Sequence, residues 1–99
     1  MKKLTPTQVR FLRAQAHHLK PVVQVGDHGL SEAVLKEIAA AIKAHELIKI
    51  KVANDERAER ETMLTTICAS VDAAAIQHIG KTLLIYKPAP TAKLVLPLK

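Results

Sequence analysis

The stretch PVVQVGDHGLSEAVLKEI, residues 21–38, organises the chain on either side of it. Val22 to Val25 is a β-branched run that reads as a strand covered on at least one face, and Gly26 stops it. After Gly-Asp-His-Gly, Ser31 is placed to cap a helix and Leu30 to staple against Leu35. Val34, Leu35, Ile38, Ala41 and Ile42 then recur at helical spacing to about His45. A strand thus turns a four-residue corner into an amphipathic helix, and strands joined through helices run parallel.

Upstream, Thr5-Pro6-Thr7-Gln8 predicts a capped helix start, with Pro at the first helical position and Gln three residues after the cap. The helix spans about 6–18. Val9, Leu12, Ala16 and Leu19 form its apolar stripe, with Arg10, Arg13 and His17 beside it, and Pro21 biases Lys20 towards an extended conformation. Downstream, Leu47 to Val52 alternates, so that Ile48, Ile50 and Val52 face a core while Lys49 and Lys51 face water or a polyanion. Asn54-Asp55 leads into a third helix carrying Met63, Leu64, Ile67, Cys68 and Val71, which ends at the alanines 73–75. Ala75–Ile79 and Thr82–Tyr86 are strands around Gly80-Lys81, a two-residue turn with glycine first. Pro88 and Pro90 stop the last strand, and residues 92–99 form an edge segment or a tail. The expected architecture is a single α/β (α+β) domain over 1–99, in the order α-β-α-β-α-β-β. Its mixed four-stranded sheet is layered with helices.

Composition narrows the partners. With 99 residues and 48% hydrophobic content, the chain suits one core. Fifteen Lys and Arg against nine Asp and Glu leave a net charge of +6, which favours nucleic acid as the partner. Residues 1–25 and 73–99 are basic without a single acid, while the helices between them are acidic. If the fold brings both ends to one side, they make a positive face. Cys68 is the only cysteine, which excludes an internal disulfide and a cysteine-based zinc site and fits a cytosolic location. The N-terminus has no apolar stretch of secretory-signal length, and nowhere do about 18 apolar residues run together, so no membrane is expected.

Nothing in the spacing of functional side chains suggests catalysis. His17 and His18 are adjacent, and His28, His45 and His78 match no metal or catalytic pattern. Ser31 is better used as a cap, Ser70 sits in no nucleophile elbow, and Cys68 lies on an apolar stripe as a structural thiol. No enzyme activity, cofactor or metal is expected. The turn Gly26, Asp27, His28, Gly29 has two open readings. Glycines at a strand-to-helix corner serve a positive φ, and the same geometry offers backbone amides and a helix N-terminus to a phosphate. Arg10, Arg13 and Lys20 before it, Lys49 and Lys51 on the next strand, and Lys81 and Lys87 around the last one favour a phosphate. Phe11 and Tyr86 are the only aromatics, too few for a base-stacking platform.

Taken together, KPVVQVGDHGLSEAVLKEI, HELIKIKV at 45–52 and GKTLLIYKP at 80–88 resemble the CRM domain (chloroplast RNA splicing and ribosome maturation), in its bacterial stand-alone form, the YhbY family. The resemblance implies a compact α/β fold similar to the C-terminal domain of translation initiation factor three. It also implies RNA as the partner, in particular ribosomal RNA of large-subunit precursors. On this likeness the family's GxxG loop falls on Gly26, Asp27, His28 and Gly29, and its lysines on Lys20, Lys49 and Lys81. Asp27 and Lys87 depart from the family's usual Lys, Ser or Asn and Arg, leaving the loop to act through its amides and His28. The expected protein is a cytoplasmic, monomeric RNA-binding protein. The alternative is a protein-interaction module whose basic face meets an acidic partner.

Overall fold

The computed structural model describes residues 3–89 and 94–97. Its elements follow the expected order: α1 (Pro6–Gln15), continued by a 3-10 turn (Ala16–His18), β1 (Pro21–Val25), α2 (Glu32–His45), β2 (Leu47–Val52), α3 (Arg57–Val71), β3 (Ala74–Ile79) and β4 (Thr82–Tyr86).

Local chemistry explains most of the boundaries. Thr5 Oγ1 accepts from Gln8 N–H at 3.1 Å and Gln8 Oε1 accepts from Thr5 N–H at 3.0 Å, closing the box in front of Pro6. Gln8 Nε2 also donates to Pro97 O at 2.8 Å, tying the end of the chain to α1. Ser31 Oγ accepts from Val34 N–H and starts α2. Gly80 has φ +54° between paired Ile79 and Thr82, as a glycine-first hairpin turn needs.

The sheet order is β1-β2-β4-β3, with β1 parallel to β2 and both other pairings antiparallel. β4 therefore separates β2 from β3, the two strands that α3 connects. Layers lie on both sides. α2 and α3 cover one face, burying Val23, Val25, Ile48, Ile50, Val52, Leu83 and Ile85 against Ile38, Ile42, Leu64 and Ile67. α1 covers part of the other, where Leu12 and Ala16 pack on Leu47, Ile76, Leu84 and Tyr86.

β1 is an edge strand whose burial alternates, with Val22 48% exposed and Val23 and Val25 buried, so it is covered on one face, within the expectation. The sequence reading of β2 needs a correction. The Lys49 face of β2 is wet only in part, because Leu47 lies on the same face and α1 buries it. In the C-terminal segment, Leu94 and Leu96 pack on the α1 side without forming a strand, while Pro90, Lys93 and Leu98 lie outside the described residues.

Cys68 is half-buried on α3, and burial pushes its thiol up to about 11 from 9.0. At pH 8 the folded chain should therefore react with iodoacetamide about a hundredfold more slowly than the unfolded chain, since only the thiolate attacks. Equal rates would mean that the thiol is not desolvated.

Candidate nucleic-acid interface

The parallel pair ends in step. Ala53 N–H donates to Val25 O at 2.9 Å, and Val52 N–H donates to Lys81 O at 2.8 Å. The Gly26–Gly29 corner, the loop after β2 and the Gly80-Lys81 hairpin therefore share one end of the sheet. Within the corner, Gly29 N–H donates to Gly26 O at 3.0 Å, closing a turn with Asp27 and His28 exposed at its tip. Gly29 has φ +73°, a left-handed conformation that costs an L side chain about 1–2 kcal/mol. A Cβ there would also stand 3.8 Å from Met63 Cε, ordinary contact, so the backbone and not crowding selects glycine. Gly29→Val should lower Tm by about 5–10 °C, whereas Gly29→Asn, which tolerates φ > 0, should lose less than half of that. Equal losses would place the cost in packing.

The lysines gather on the sheet face that α1 leaves uncovered. Lys51 stands in a row between Gln24 of β1 and Thr82 of β4, and Lys49 in the next row between Pro21 and Leu84. Lys20 immediately precedes Pro21, the residue paired with Lys49, at the start of the neighbouring strand. A shallow groove beside them is lined by Pro21, Lys49, Gln77, Ile79, Thr82 and Leu84. Lys20 and Lys51 are exposed, whereas Lys49 is half-buried and its Nζ donates to Leu19 O at 3.1 Å. Lys49 thus differs from the exposed side chain expected of it. It anchors the end of the 3-10 turn to the sheet and keeps two N–H donors for another acceptor.

The remaining basic residues lie elsewhere or are already engaged. Lys81 pairs with the Asp55 carboxylate, and this hydrogen bond and charge hold Asp55 below its usual 3.8. The pair supports the fold above that range and is lost as the pH falls through the lowered value; both partners are exposed, so its contribution is small. Lys87 sits at the opposite end of the sheet from the corner. Its N–H donates to Glu46 O at 2.8 Å and its Nζ to Val71 O at 2.9 Å, where a cation meets the carbonyl end of α3. Arg10 is exposed on α1 and donates to Thr7 Oγ1. Arg13 borders a groove at the β3 edge, across the sheet from the corner.

A polar cluster that the sequence did not announce supports this end of the fold. Arg60 on α3 is 7% exposed; its Nε donates to His78 Nε2 at 3.1 Å and its Nη1 to Asn54 O at 2.9 Å. Since Nε2 accepts, the imidazole proton lies on Nδ1, which donates to Glu61 Oε1 at 2.6 Å. Asn54 Oδ1 in turn accepts from Glu56 N–H, serving the start of α3 in place of a side-chain cap on Glu56. The cluster fixes the loop that lies beside the glycine corner. Arg60 and His78 are 18 residues apart, and only the packing of α3 on β3 joins them.

Phe11 is half-buried and Tyr86 2% exposed, both in the cluster under α1, and burial together with the Glu46 charge raises the Tyr86 hydroxyl pKa. Neither offers a stacking surface. Among the described residues no three His, Cys, Asp or Glu side chains are grouped to hold a metal ion. No helix there is long and apolar enough to cross a membrane.

Comparison with known proteins places the fold in a family. A Haemophilus influenzae protein named as an RNA-binding protein is 44% identical over the full length of both chains. A probable RNA-binding protein of Bacillus subtilis is 37% identical, covering 91% of this chain and 94% of its own. A Staphylococcus aureus protein, solved in solution and described as a candidate RNA-binding protein, superposes with a TM-score of 0.84 at 29% identity, over 96% of this chain and all of its own. The CRS1 / YhbY (CRM) domain model matches residues 4–87. A match from α1 through the last strand, with the glycine corner and all four strands inside it, means that the chain belongs to the CRS1/YhbY (CRM) domain family.

Proposed function

We propose that this chain binds structured RNA through the Lys20, Lys49 and Lys51 face together with the Gly26–Gly29 corner, and that the RNA is ribosomal RNA in precursors of the large subunit. The observation that carries the reading is the pair Lys49 and Lys51 on the uncovered part of the sheet, with exposed Lys20 at the start of the adjoining strand, in a chain whose relatives are named RNA-binding proteins. With Tyr86 buried and Phe11 packed against the same cluster, recognition rests on the phosphate backbone and on shape. Gly29 N–H is spent on the turn, so phosphate contact at the corner falls to the Asp27 and His28 amides and to the His28 ring. The Asp27 carboxylate repels an approach along its own side chain. The protein acts as a cytoplasmic monomer, and catalysis has no part in the reading.

Salt is the first test. Three lysine-phosphate contacts predict an affinity loss of about fortyfold between ~50 and ~200 mM salt, because each contact releases counterions. A flat response in fluorescence anisotropy removes the phosphate contacts. Crosslinking in cells, with sequencing of the bound RNA and sedimentation of ribosomal particles, then identifies the RNA. Recovery of large-subunit ribosomal RNA from a precursor fraction is expected. A protein that stays at the top of the gradient without ribosomal RNA refutes the assignment.

A further inference from the structure

The two edges of the sheet are treated differently. β1 is guarded, since Pro21 supplies no N–H, the register breaks between Pro21 and Val23, and Lys20 stands at its start. β3 carries no proline and no charged residue over Ala74–Ile79. Its register breaks between Ala75 and Gln77, and beyond that point Gln77, His78 and Ile79 pair regularly with Leu84, Leu83 and Thr82. Among the described residues no strand lies on its outer side. Ile79 is 61% exposed beside this edge.

The groove along the edge is cationic on both faces of the sheet. Arg13 reaches it from α1 and Arg57 from the start of α3. Glu61, the acid in the same groove, is engaged by His78 at 2.6 Å and approached by Arg57 at 3.9 Å, with Arg60 behind them. Positive charge is therefore in excess. A strand added to an edge sends successive side chains to opposite faces, so two adjacent acids would meet Arg13 on one face and Arg57 on the other.

We propose that the Gln77–Ile79 edge of β3 is a docking site for an extended, acidic protein segment, which adds as a fifth strand with neighbouring carboxylates on Arg13 and Arg57. A backbone ladder satisfies the outward N–H and C=O groups of an open strand, which a nucleic acid does not do. The edge lies two strands from β2, and although Gln77 and Ile79 border the groove that Lys49 also lines, a strand added on the outer side of β3 leaves Lys20 and Lys51 exposed, so protein and RNA can be held together.

The test uses the isotopically labelled full chain and a synthetic peptide of about ten residues, an ordinary strand length or slightly more, with a central Glu-Glu pair flanked by valine and threonine. Amide shifts and slowed hydrogen exchange should centre on Gln77, His78 and Ile79. Affinity should fall at least tenfold when the two glutamates are replaced by lysine, when a proline is placed in the centre of the peptide, or in the R13E/R57E variant. The variant changes only exposed arginines, so its amide spectrum should otherwise be retained. The K20E/K51E variant should bind the peptide as the original chain does, which separates this site from RNA binding. Shifts centred on Lys49 and Lys51, or none at ~1 mM peptide, overturn the proposal. Self-association through β3 in sedimentation overturns it in favour of a second copy, and protection of Arg13 and Arg57 by RNA overturns it in favour of nucleic acid.

Discussion

Lys20→Glu combined with Lys51→Glu is expected to weaken RNA binding about a hundredfold at ~100 mM salt, with Tm changed by no more than about 2 °C. Both side chains are exposed, and neither takes part in the hydrogen bonds that close the corner or join the strands. Each reversal removes one phosphate contact and adds a like charge to the face, so the slope of log affinity against log salt should also become shallower by about two. Lys49 is left out of the pair deliberately. Its bond to Leu19 O means that a change there would disturb the joint between the 3-10 turn and β1 and confuse affinity with folding. Anisotropy titrations at several salt concentrations, beside thermal melts, check both halves. Unchanged affinity would remove the lysine face from the mechanism.

Arg60→Leu is expected to destabilise the domain by about 3 kcal/mol, lowering Tm by about 15 °C. The side chain satisfies His78 Nε2 and Asn54 O, and the His78 side chain is only 3% exposed. Removing the guanidinium strands both acceptors away from water. The double variant R60L/H78L should recover about half of the loss, because one of the stranded acceptors goes with the imidazole, whereas Asn54 O stays unpaired. Denaturant unfolding of the single and double variants measures this coupling. Strict additivity would show that the two side chains do not act as a unit.

Much of this molecule is legible in its local chemistry. Thr5, Pro6 and Gln8 state where α1 begins, Ser31 does so for α2, and the glycine before Lys81 marks the hairpin, because caps and turns are satisfied by residues within four positions of one another. The alternation of Leu47–Val52 separates Ile48 from Lys49 for the same reason. The family was also legible, since its three motifs lie in order along the chain. The basic residues were harder to read. Lys81 and Lys87 look like surface cations in the sequence. One pairs with Asp55, 26 residues away, and the other with Val71 O, 16 residues away, because strand pairing brings those partners to them. Arg60 looks like an exposed charge among Glu59 and Glu61, yet it is buried, since β3 offers it an acceptor. Glu46 looks like an ordinary end of α2 but is fully buried with φ +63° where glycine is usual, and its carbonyl receives the Lys87 amide.

Elements, their order and the alternation of Leu47–Val52 follow from interactions a few residues long, so the one-dimensional pattern was enough for them. The neighbour of each strand does not. The order β1-β2-β4-β3 arises because the last hairpin inserts between β2 and β3, and that insertion sets Lys51 between Gln24 and Thr82 and leaves β3 at an edge. Which lysines share a face, which are consumed by carbonyls and carboxylates, and which strand stays open are properties of long-range pairing, whose partners no local propensity encodes.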